Sequence, residues 1–243
     1  LATKSICSAP IFKIGAKKRP VKAEMFSSKK KATPASAPAP ASSGKFDPKA
    51  AEELFTSLAD PDDPDMLYMD GISVLCEQLG LDPATDVRVL VMLWKLGATS
   101  KPGCITRTEF VAGLQKLQTS DVNKLKTLLP SFDPGFLDKP EFRDFYKFVF
   151  QFSREGTNKT IEKEIIIGLL PIVLDVNRAP HLPHFLQFLE TTSHQRITLD
   201  QWDSFLQFNA VVLPDLSNLE EDGAWPLLLD EYVEWRKANT SSG

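Results

Sequence analysis

The chain has 243 residues, 42% hydrophobic and 9% aromatic, enough apolar material to bury the core of one large domain or two small ones. Its formal charge of −4 conceals a division: residues 1–45 hold ten Lys/Arg against Glu24 alone, and the remainder holds eighteen basic against thirty-one acidic residues. That acidic bulk argues against nucleic acid and for basic partners, and no apolar run approaches the ~18 residues of a membrane span.

Leu1 rather than Met opens the sequence, so further residues are expected before it. Residues 1–45 read as a disordered basic tail that ends in a Pro/Ala/Ser linker unable to bury a core. Lys17-Lys18-Arg19 and Lys29-Lys30-Lys31 are candidate nuclear-import clusters; a solvated tail or a transit peptide fits the same composition. A helical pattern begins at Phe46. Asp60 to Gly71 then occupies the place of a helix–loop–helix calcium loop, and Ala98 to Glu109 repeats it thirty-eight residues later. Each loop has an aliphatic residue at its eighth position, Leu67 and Ile105, where paired calcium loops touch one another. The ion chemistry is damaged in both. A working loop needs oxygen ligands at positions one, three and five, Gly at six and a bidentate Glu at twelve. The first loop has Pro64 at five, Asp65 at six and Gly71 at twelve; the second keeps Gly103 and Glu109 but has Ala98, Ser100 and Pro102 at the ligand positions.

Between the loops, Asp82-Pro83 predicts a helix start with the cap followed by Pro, and Val87, Leu90, Val91 and Trp94 mark one helix face. Thr106–Glu109 and Thr198–Gln201 read as capping boxes. Phe142, Phe145 and Phe152 continue the helical spacing. Thr160 is expected to cap a central, very apolar helix through Ile165, Ile166, Ile167, Leu169 and Leu170. A third, fainter loop copy runs from Glu190 to Gln201 around Ile197. No alternating strand pattern stands out. The expected fold is all-α: a helical body of two subdomains, the first built on paired EF-hand-like helix–loop–helix units without bound calcium. The expected halves are 46–155 and 156–237, with a disordered end at 238–243.

Catalytic chemistry is hard to assemble. Cys7, Cys76 and Cys104 are scattered and odd in number, which fits a reducing compartment, and Cys104 has no nearby His to activate it. His181, His184 and His194 lack the further ligands that zinc requires. No phosphate-cradling glycine loop is present, and no cofactor or metal is expected. The densest signal is the stretch Asp215 to Trp235, an acidic turn, a Gly-Ala-Trp-Pro corner and an acid-studded helix. Such a surface suits gripping a basic partner.

That stretch, together with Leu81-Asp-Pro, Leu93-Trp-Lys95, Met69-Asp-Gly-Ile72, Phe142-Arg-Asp-Phe-Tyr146 and the two ion-less loops, resembles the potentiating-neddylation domain of the defective-in-cullin-neddylation family. The resemblance covers about residues 46–237. It implies a non-catalytic, scaffold-type ligase subunit of nucleus and cytoplasm. Such a protein holds the cullin C-terminal region and a conjugating enzyme at once, with the cullin-associated RING subunit engaged indirectly. The family's cullin-facing Asp, Ala and Asp fall on Asp200, Ala224 and Asp230. Its apolar slot for the acetylated N-terminal Met of the conjugating enzyme falls on Met69, Ile72, Val89, Met92, Ile105, Phe152, Leu169 and Ile172. Leu169-Leu170 departs from the aromatic pair of some relatives, and no ubiquitin-binding helical domain is expected within the tail at 1–45. Two rival readings remain: a calcium-sensing switch, and a helical adaptor for another basic partner.

Overall fold

The computed structural model describes residues 46–220 and 223–240. The basic tail, both Lys clusters and Cys7 lie outside the described residues. Helix α1 (Pro48–Leu58) starts where Asp47 accepts the N–H groups of Lys49 and Ala50, with Pro48 at the first helical position, where its missing N–H costs nothing. Strand β1 (Met66–Leu67) and helix α2 (Met69–Leu79) follow. Next come α3 (Val87–Leu96), β2 (Ile105–Thr106) and α4 (Arg107–Lys116). The two loops meet in an antiparallel ladder that pairs Leu67 with Ile105 and Met66 with Thr106. This is the contact expected from the eighth loop positions, and both side chains are fully buried. Helix α3 ends at Gly97, whose φ of 81° lies in the left-handed region open to glycine. Gly113 of α4 lies against the Leu96 backbone, so an added Cβ would drive α3 and α4 apart.

Glu109, at the twelfth position of the second loop, is committed to the loop itself. Its Oε1 accepts the N–H groups of Thr99 and Ser100 at 2.9 and 2.7 Å, and its Oε2 accepts that of Thr106 at 2.9 Å. Burial raises its pKa, but these bonds outweigh burial and hold it below the usual value. Among the described residues, no group of three or more His, Cys, Asp or Glu is arranged to hold a metal ion.

The second half repeats the plan. After α5 (Val122–Leu128) and two 3-10 turns come α6 (Lys139–Ser153), β3 (Thr160–Glu162) and α7 (Lys163–Val173). Then follow α8 (Leu182–Thr191), β4 (Arg196–Thr198), α9 (Leu199–Val211) and α10 (Leu227–Thr240). Strands β3 and β4 pair Ile161 with Ile197, so the faint copy at 190–201 has a partner loop that the sequence did not reveal. Thr160 is therefore not a helix cap. It pairs with Thr198 in the ladder, and α7 starts after Glu162 without a side-chain cap. Nor is α7 central: it buries Ile166, Leu169, Leu170 and Val173, while Ile165, Ile167 and Ile172 are half-exposed and Pro171 faces solvent.

Two further boundaries differ from expectation. Asp82 accepts from the Ala84 N–H and the Thr85 hydroxyl and closes a turn, and α3 begins later, at Val87, with Asp86 as its cap. The Asp-Pro pair thus serves a turn, because the apolar face starts only four residues on. Helix α10 continues to Thr240, past the expected end of order at 237. Both capping boxes are present, and Asp138–Glu141 adds one at α6.

Helix α6 packs against both α3 and α9. Its Phe145 ring meets Trp94 at 5.8 Å, and its Tyr146 ring stacks on Trp202 at 4.3 Å. The Trp202 indole N–H donates to the Tyr146 carbonyl at 2.9 Å. One hydrophobic cluster consequently runs from Ala51 to Val233. Each large ring buried in it contributes roughly 1.5–3 kcal/mol. No helix among the described residues is long and apolar enough to cross a membrane.

Candidate functional site

Helices α9 and α10 pack against each other and present the acidic surface. Asp200 sits in the first turn of α9, which is fixed by the Thr198–Gln201 capping box and by buried Trp202. Asp230 sits in the first turn of α10. Both residues are exposed, as is Ala224. Neither carboxylate has a hydrogen-bond or ion-pair partner among the described residues. Asp203, one turn along α9 from Asp200, differs. It takes Arg143 at 3.2 and 2.8 Å and lies 3.6 Å from Lys147. Burial raises the Asp203 pKa, but Arg143 and Lys147 outweigh it and lower the value overall. Asp203 therefore serves the α6–α9 joint, and the charges of Asp200 and Asp230 remain available to a partner.

The corner before α10 is held by Trp225, whose ring meets Phe208 edge-on at 5.2 Å. The Trp225 backbone N–H donates to the Gly223 carbonyl at 2.9 Å, and the Leu229 backbone N–H donates to the Pro226 carbonyl at 2.7 Å. Glu231, next to Asp230, contacts His194 Nε2 at 2.9 Å, six residues before Asp200. That bond joins the chain leading into α9 to the start of α10.

Beneath the corner lies a polar network that the sequence did not foretell. His181 is buried; its Nε2 lies 3.2 Å from the Val212 carbonyl and its Nδ1 lies 3.1 Å from the Tyr232 hydroxyl. A neutral ring satisfies both contacts: Nε2–H donates to Val212, and Nδ1 accepts from Tyr232. The His181 N–H donates to Asn209 Oδ1 at 2.9 Å. Burial is the main cause that holds the His181 pKa below its ordinary value. The unfolded chain therefore takes up the proton first. The neutral ring's contribution is complete above the ordinary value of about 6.5. It is lost as pH falls through the lowered folded value, with a slope of at most about 1.4 kcal/mol per pH unit. Thermal melts between pH 7.5 and 5 are expected to show this fall, and His181→Phe should flatten it; an unaltered pH profile in the variant would assign the loss to other groups.

The eight apolar positions divide differently. Ile72, Val89, Met92, Ile105, Phe152 and Leu169 are buried, and Met69 and Ile172 are half-buried. No cleft described is lined by all eight. Ile172 borders a cleft of about 310 Å³ between the start of α3 and the end of α7. Phe152 borders another of about 380 Å³ between the α3–β2 loop and α6. In this conformation, six of the eight positions are core. Apolar stripes bury themselves by default, and sequence spacing alone does not distinguish a slot from a core.

The two thiols among the described residues, Cys76 and Cys104, are buried and poorly suited to act as nucleophiles. Burial pushes the Cys76 pKa up to about 12 and raises that of Cys104 as well.

With that geometry in place, the relatives are informative. A protein family described as cullin binding matches residues 124–235. The chain is 33% identical over 197 residues to DCN1-like protein 5 of Homo sapiens, covering 81% of each sequence. It is 32% identical over 196 residues to DCN1-like protein 4 of Drosophila melanogaster, covering 81% of the chain and 78% of the relative. To DCN1-like protein 4 of Danio rerio it is 36% identical over 192 residues, covering 79% of the chain and 67% of the relative.

Proposed function

The chain belongs to the DCN1-like family, and from that membership we propose that it is a non-catalytic scaffold that binds a cullin and the charged neddylation conjugating enzyme together. The observation that carries this reading is the pair of exposed carboxylates, Asp200 and Asp230, without partners among the described residues, at the first turns of two packed helices, with small exposed Ala224 on the corner that leads into α10. A basic helix of the cullin C-terminal region can come close over Ala224 and place cations on both acids. Opposite potentials steer that encounter. The RING subunit enters through the cullin.

The conjugating enzyme is the second cargo. Its acetylated N-terminal Met inserts along α2, α3 and α7, entering past half-buried Met69 and Ile172. The slot is closed by its own side chains, so the ligand displaces them; Met69 and Met92 are unbranched and re-pack at low cost. Two weak contacts on one rigid body raise the local concentration of charged enzyme beside the acceptor lysine, and linkage of this kind yields ~10²–10⁴ without new chemistry.

The test is a single-turnover transfer assay with a cullin C-terminal fragment. Added intact protein is expected to speed modifier transfer by about 10²-fold, within the range that linkage provides. An unchanged rate removes the scaffold reading.

A further inference from the structure

Away from the acidic surface, and sharing only Phe152 with the eight apolar positions, lies a cleft whose lining is basic. It lies between the end of α3, the α3–β2 loop and the outward face of α6, with a volume of about 380 Å³. Trp94, Phe148 and Phe152 form its apolar part. Phe148 and Phe152 are buried with ring centroids 5.4 Å apart, and Trp94 is half-exposed. Lys101, Lys147 and Arg154 stand around them, against Asp144 as the only carboxylate in the lining. On a body in which acids outnumber bases by thirty-one to eighteen, three cations on one cleft reverse the local field.

These cations are incompletely used by the fold. Lys101 is exposed, and among the described residues its ammonium makes one hydrogen bond, to the Met66 sulfur at 4.0 Å. Arg154 Nη1 donates to the Asn158 carbonyl at 3.0 Å, but its Nε is buried without a partner. Lys147 is shared with Asp203 at 3.6 Å. A carboxylate would pair with the Lys101 ammonium and the Arg154 guanidinium, and an aromatic side chain beside it would cover half-exposed Trp94.

We propose that this cleft is a docking site for an acidic peptide segment of a partner protein, anchored by one large apolar side chain. The site is separate from the acidic patch and takes a ligand of the opposite charge. It does not depend on the cullin reading, and its key cations lie outside the apolar slot.

The test is nuclear magnetic resonance titration of the intact chain with the blocked peptide acetyl-Asp-Glu-Phe-Asp-Glu-amide. Shifts are expected at Trp94, Lys101 and Arg154. Lys101→Glu is expected to weaken binding about tenfold or more, as is changing the peptide's Phe to Ala. A peptide with Lys in place of each acid should not bind there. Lys101 is exposed on a loop, so its variant folds even if Arg154→Glu does not. Lys116→Glu, on exposed α4, is the control and should bind as the parent does. Absence of shifts at millimolar peptide, or equal weakening by Lys101→Glu and Lys116→Glu, overturns the proposal. Transfer to cullin is read separately, so failure here leaves the scaffold reading standing.

Discussion

Asp230→Lys is expected to weaken binding to a cullin C-terminal fragment by about 30- to 1,000-fold, or about 2–4 kcal/mol, the range for a charge removed from a desolvated contact. The substitution does more than truncate, because it sets a cation against the basic helix that Asp230 would receive. The fold should survive. Asp230 is exposed and its carboxylate has no partner among the described residues. Its only intrinsic contribution is at the start of α10, where a carboxylate favours the helix dipole by about 0.3–1 kcal/mol. Calorimetric titration alongside a thermal melt separates the two effects. Asp203→Asn is the instructive contrast. That residue spends its charge on Arg143 and Lys147, so its loss should lower stability more than it lowers cullin affinity. If Asp230→Lys binds cullin as the parent does, the patch is not the cullin site.

Acetylation of the conjugating enzyme's N-terminal Met should raise the affinity of its peptide for this chain by about 30-fold or more. The reasoning concerns solvation. A free α-amino group is charged near neutral pH, and acetylation removes that charge. Six of the eight slot positions are buried among apolar neighbours and offer no carboxylate to pair it. An unpaired ammonium brought there loses its hydration without compensation, a penalty of at least about 2 kcal/mol even after relaxation. Because six of the eight positions are buried in the free protein, opening a slot there would draw on the binding energy, so even the acetylated peptide alone should bind only moderately. Titration of both peptides, with shifts followed at Met69, Met92 and Ile172, decides the matter. Equal affinities, or shifts confined to other regions, would rule the slot out.

Much of the local structure was written plainly in the sequence. Thr106–Glu109 and Thr198–Gln201 form the capping boxes that their residue types imply, because a cap is satisfied within one turn of chain. Leu67 meets Ile105 as the aliphatic residues at the eighth positions of the two loops implied. The segment Arg154 to Glu162 escaped notice because, counted back from Ile161, it places Arg154, Gly156 and Asn158 at the ligand positions and Lys159 at the sixth; only the pairing of Ile161 with Ile197 exposes it. Thr160 was misplaced for a related reason. A threonine before an apolar run suits a strand end as well as a helix cap, and the choice depends on whether a partner strand lies alongside.

The sequence by itself determined the all-α class, the acidic character of the body and the residue types at positions 200, 224 and 230, since composition, helical periodicity and capping are properties of short stretches. Only the tertiary structure decided which acids are free. Asp203 and Asp200 look alike in the chain, and they differ because Arg143, sixty residues before Asp203, reaches one of them. It also placed six of the eight apolar positions in the core, and brought Lys101, Lys147 and Arg154 to one cleft. Periodicity identifies the face of a helix that seeks cover, but the covering surface is set by packing between distant segments, and so is the pairing of charges.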